Sequence, residues 1–63
     1  MWKVTAGDTE ERCKNMREAY AVAEVAAAEH GQAVLWQRVR KGYQPLTAVV
    51  DGWERYDSVD RRP

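Results

Sequence analysis

Cys13 and His30 are the chain's one thiol and one imidazole. They could act as nucleophile and base only if they came within hydrogen-bond reach. The helix expected between them puts them at opposite ends, so they are not read as a catalytic pair. Cys13 reads as a small buried hydrophobe, and His30 as a last-turn partner for helix carbonyls. A lone cysteine and a lone histidine also cannot close a zinc cage. The acidic pairs Glu10-Glu11 and Asp57/Asp60 sit in no setting that would raise a carboxyl pKa for acid catalysis. Gly7, Gly31, Gly42 and Gly52 are scattered turn residues, with no phosphate cradle among them. No catalytic, cofactor or metal site is expected, and the chain is not expected to be an enzyme.

The chemistry that remains is recognition. In "VLWQRVRKGYQPL" Trp36, Arg38 and Arg40 recur at a spacing of two, and Lys41 follows. On a strand these alternate residues share one face, and Trp53 is a second ring that could join them. Tryptophan and arginine are the residues enriched at protein interface hot spots, so a protein-binding face is the first reading. A solvated sheet surface is the second. A single-stranded nucleic-acid platform is the third, with bases stacked on Trp36 and phosphates met by Arg38, Arg40 and Lys41.

These residues need elements to hold them. "NMREAYAVAEVAAAEHG" predicts a helix over 15–30, with Asn15 as N-cap, Glu18 completing a capping box and Gly31 ending it. Its apolar stripe is Met16, Ala19, Tyr20, Ala23, Ala26, Ala27 and His30. Val22 and Val25 fall roughly opposite that stripe, where polar residues are the norm, and mark a candidate helix interface for a second copy or a partner. "WKVTA" and "EERCK" read as two strands turned at Gly7-Asp8. A helix starting at Asp8 is the alternative, but it would place Arg12 on the apolar stripe without a partner.

After the helix, "AVLWQRVRK" reads as a strand with Leu35 and Val39 toward the core. "KGYQP" reads as a turn, "LTAVV" as a strand, and Asp51-Gly52 as a hairpin signal before "WERYD". Trp2, Leu35, Val39, Leu46 and Val50 supply bulk against a helix rich in alanine. "SVDRRP" is too polar to be held down and is expected to fray. The expected fold class is α+β, a ββαββ-like arrangement with one amphipathic helix on an antiparallel sheet of three to five short strands. The expected domain covers 1–57, with a flexible tail over 58–63.

Length and charge narrow the function. A chain of 63 residues builds a small core, and with one cysteine it has no internal disulfide to support it. Oligomerisation is the support that remains, so a homodimer is expected. Ten basic and ten acidic residues cancel, leaving no whole-molecule field to attract nucleic acid or acidic lipid. "MWKVTAGD" carries no leader pattern and no apolar run approaches a membrane span, so a cytoplasmic location without membrane partners is expected. Seven arginines against three lysines, with no isoleucine or phenylalanine, suggest a bacterial or phage origin. The expected role is a non-catalytic protein-interaction domain, binding its own copy or an unidentified protein, as an accessory or inhibitor that occupies a partner surface. An RNA- or single-stranded-DNA-binding domain is the alternative, and an antitoxin-like regulatory subunit the third.

Overall fold

The computed structural model of the chain describes residues 1–39 and 49–61. Strands β1 (Trp2–Ala6) and β2 (Thr9–Cys13) form an antiparallel hairpin in which Ala6 faces Thr9. The Thr9 hydroxyl donates to the Ala6 carbonyl at 2.7 Å and closes the turn. Of the two sequence alternatives for residues 9–13, the strand is the one adopted. It sets Arg12 opposite Lys3 and so keeps the guanidinium off the helix stripe.

Helix α1 (Met16–His30) begins where expected: Asn15 Oδ1 accepts the Glu18 N–H at 2.8 Å. It ends on Gly31, left-handed at φ 89°, whose N–H donates to the Ala27 carbonyl at 2.7 Å. Ala19, Ala23 and Ala27 are fully buried, one turn apart on the stripe facing the sheet. The ends of the predicted stripe are not buried. Met16 is 43% exposed and His30 is exposed as well.

Strands β3 (Gln32–Arg38), β4 (Val49–Val50) and β5 (Trp53–Asp60) complete a five-stranded sheet in the order β2-β1-β3-β5-β4, with every neighbouring pair antiparallel. The fold is α+β, one helix on an antiparallel sheet. Asp51 at φ 51° and Gly52 at φ 84° make the two-residue turn between the paired Val50 and Trp53. Two successive positive φ values are the signature of a type I′ hairpin, the turn an Asp-Gly pair favours. The expected turn at 41–45 and the first residues of "LTAVV" lie outside the described residues.

The core lies between helix and sheet. Val4, Ala6, Cys13, Ala33 and Leu35 meet the alanines of α1, with Trp2, Tyr20 and Val59 packed against them. Two expectations are corrected here. Residues 58–60 do not fray: β5 runs to Asp60, which pairs with Gln32, while Val59 pairs with Ala33 and packs on the core. One apolar residue at an inward position is enough to anchor a strand already hydrogen-bonded on one side. Val39 is not part of β3 but lies just beyond it, half-buried, its N–H donating to the Gly52 carbonyl at 2.8 Å.

The register of β5 shifts between Leu35 and Trp36: Leu35 faces Asp57 and Trp36 faces Arg55, which leaves Tyr56 as the extra residue of a bulge. Tyr56 packs edge-on against Trp2, with ring centroids 4.8 Å apart. The bulge lets one strand serve both layers. Trp53 lies on the sheet face away from the helix, whereas Asp57 and Val59, of the same parity, lie on the helix side.

Candidate interaction face

Alternation along the strands, combined with the pairing register, defines the sheet face turned away from α1. On β1 it carries Lys3 and Thr5, which neighbour Trp36 and Val34 of β3 and Arg12 and Glu10 of β2. Arg38 follows on β3, paired with Trp53 of β5, and Arg55 is paired with Trp36. The structure therefore brings together Trp36 and Arg38, which share a strand face at their spacing of two, and sets Trp53 beside them. Arg40 and Lys41, the other two predicted members, lie outside the described residues.

Trp53 is 3% exposed, although among the described residues no helix lies on this side. Cations approach its ring. Lys3 Nζ lies 4.7 Å from the Trp53 ring centroid, and the guanidinium carbons of Arg12 and Arg38 lie 5.1 Å and 5.3 Å from it. All three are within the range in which the negative face of an indole attracts a cation. Lys3 also sits 5.6 Å from the Trp36 centroid, between the two rings. Trp36 is itself fixed: its Nε1–H donates to Thr5 Oγ1 at 2.9 Å. Glu10 approaches Lys3 at 4.0 Å, too long and too exposed to contribute more than a few tenths of a kcal/mol.

Lys3, Arg12 and Arg55 were not singled out from the sequence, although "WKVT" shows the signal. Trp2 and Val4 face inward, so Lys3 and Thr5 must face outward with Trp36. Among the described residues the four outward cations, Lys3, Arg12, Arg38 and Arg55, outnumber Glu10 and Asp60, the acids that the register places on the same face. A chain of zero net charge thus has a locally positive sheet face.

The second predicted surface is on the helix. Val25 is 63% exposed, as expected, but Val22 is half-buried and packs against the core rather than opposite it. Both valines line an open groove of about 540 Å³ between α1 and β2, whose wall includes Val4 and Ala26 and whose rim includes Glu10, Glu11, Glu29 and His30.

The reactive groups stay apart. Cys13 closes β2 at one end of α1 and His30 is the last residue of α1 at the other, about 22 Å along the helix axis. Burial pushes the Cys13 thiol up, reinforced by the carboxylates of Glu18 and Glu11, which disfavours the thiolate. Glu10 and Glu11 point to opposite faces of β2, and Asp57 and Asp60 to opposite faces of β5, so neither pair shares a site. Among the described residues no group of three or more His, Cys, Asp or Glu is placed to hold a metal ion, and no helix is long and apolar enough to cross a membrane. Compared with models of known families, with curated proteins and with solved structures, the chain matches none.

Proposed function

We propose that this chain is a non-catalytic protein-interaction domain whose outer sheet face docks an acidic patch of a partner protein. The observation that supports this reading is the stacking of Lys3, Arg12 and Arg38 over Trp53. Long cationic side chains normally give up rotamer freedom when they bind. Here the rings already hold them in place, so an acidic surface meets a preorganised array. Trp36, half-buried beside Lys3, is the apolar anchor of that array.

Single-stranded nucleic acid would use the same cations for its phosphates. Its bases, however, need an open aromatic face, and the Trp53 ring is covered. The protein reading is therefore preferred.

The test is retention of partners from a bacterial lysate by the wild-type chain, Trp36→Ala and Arg38→Glu, alongside fluorescence titration with oligothymidylate at low and moderate salt. The expected result is an acidic protein held by the wild type, weakened by about 2 kcal/mol or more in Trp36→Ala, and lost in Arg38→Glu. Fluorescence quenching by oligothymidylate, with a log–log salt slope near −0.7 per phosphate contact, would transfer the face to nucleic acid. Equal retention by all three chains would leave it as a sheet surface only.

A further inference from the structure

We infer that two copies of the chain pair through β2, edge to edge, about a two-fold axis at Glu11. This interface shares Arg12 with the face proposed above but uses the rim of the sheet and its main-chain groups.

β2 ends the strand order, and among the described residues no strand lies beyond it. The register says which of its groups are open. The Arg38 N–H donates to the Met1 carbonyl at 3.1 Å, so odd-numbered residues of β1 bond toward β3 and even-numbered ones toward β2. The even-numbered residues Trp2, Val4 and Ala6 face Cys13, Glu11 and Thr9. The N–H and C=O groups of Glu10 and Arg12 therefore point off the sheet, available to another strand.

A two-fold at Glu11 is the antiparallel register that overlaps all five residues of β2. It sets Glu10 opposite the partner's Arg12 and Arg12 opposite the partner's Glu10. Both members of each pair already turn their main-chain groups outward, so each pair exchanges two hydrogen bonds. The charges agree with the backbone, since each facing pair on the outer side is one carboxylate and one guanidinium. Moving the axis by one residue sets Glu10 against itself or Arg12 against itself. Charged edge strands ordinarily deter pairing by repulsion; the order Glu10, Glu11, Arg12 makes this edge complementary to its own copy. That self-complementarity is the reason to name a second copy as the occupant. The same axis leaves the groove lined by Val22 and Val25 on the helix side of the joined sheet, next to the new seam.

One contact opposes the pairing. Glu11 lies on the axis and faces itself, and like charges directly opposite one another are destabilising. This makes the register testable by a gain as well as by losses.

The experiment is sedimentation equilibrium of the full chain from about 1 to about 100 µM, a range over which mass action separates monomer from dimer, with circular dichroism confirming that each variant is folded. A dimer is expected. Glu10→Pro removes one outward N–H and spares the β1–β2 ladder, so it should weaken the dimer by about tenfold or more. Glu11→Gln should tighten it by several-fold. Arg12→Glu should weaken it, and adding Glu10→Arg to that variant should restore it, because the facing charges become opposite again. A monomer throughout the range, or a dimer that Glu11→Gln loosens or leaves unchanged, would overturn the inference. If Glu10→Pro does not fold, the charge swap decides, and failure of the double variant to recover would count against this register.

Discussion

The Tyr20 hydroxyl donates to Asp57 Oδ2 at 2.6 Å, tying the helix to the last strand across 37 residues of chain. The bond pushes the Tyr20 phenol up to about 12, with smaller contributions from desolvation and from the charge of Asp57. It also holds the Asp57 carboxyl below its ordinary range, assisted by the Ser58 N–H and by Arg55.

Both shifts affect stability, with opposite signs in pH. The Asp57 contribution is present above the ordinary carboxylate pKa and is lost as pH falls through the lowered value. The Tyr20 contribution is present below the ordinary phenol pKa and is lost as pH rises through about 12. Tyr20→Phe should therefore lower the urea midpoint by a constant amount from about pH 5 to about pH 9, and the gap to wild type should close toward both extremes. A gap independent of pH from acid to base would show that the bond contributes nothing through ionisation.

Ala23 is fully buried at the centre of the helix–sheet contact. Ala23→Glu would place a carboxylate there without a partner, at a cost upwards of about 3 kcal/mol, comparable with much of the stability of a small domain. Glu24→Ala loses only an exposed pairing with Arg61 and should stay within about 0.5 kcal/mol of wild type. Thermal melts of the two variants should differ accordingly, and equal melting temperatures would contradict the placement of the helix face.

Leu35 is the one large side chain with 0% exposure among the described residues. The residues around it include alanines, which cannot swing into a void. Leu35→Ala should therefore fall in the range of about 2 to 5 kcal/mol seen for such truncations, read from chemical denaturation.

Gly7 turns at φ 54°, and a Cβ built on it would lie 2.9 Å from His30 Nδ1. Gly7→Ala therefore meets a left-handed backbone cost of about 1 to 2 kcal/mol and a steric contact together. In a double-mutant cycle, His30→Ala should recover the contact part and leave the backbone part. Full additivity would mean that the imidazole simply moves aside.

The helix and its caps were legible because Asn15, Gly31 and the alanine stripe are local signals, and Asp51-Gly52 marks its hairpin for the same reason. The bulge at Tyr56 was not legible. A strand read at period two puts Trp53, Asp57 and Val59 on one face, and only pairing with β3 reveals that Trp53 is on the other. The same limit hid the last strand residues, whose anchoring by Val59 depends on that phase shift. On the candidate face, Trp36 and Arg38 could be foreseen from alternation, whereas the side taken by Trp53 could not. Nor could the gathering of cations at Trp53, because they stand on three strands whose order no single stretch encodes.

The alanine contact between α1 and the sheet also has an entropic side. Ala19, Ala23 and Ala27 have no side-chain rotamers, so burying them costs no side-chain conformational entropy, and the ordering cost of that layer falls on backbone torsions and on the strand residues. The same absence removes slack. A larger residue at any of the three positions has no rotamer in which to hide and must displace the whole helix, carrying Tyr20 away from Asp57. The spacing between the two layers is thus set by the thinnest side chains in the molecule, and tolerance to change in β1 and β3 is limited by a helix that can respond only as a rigid rod.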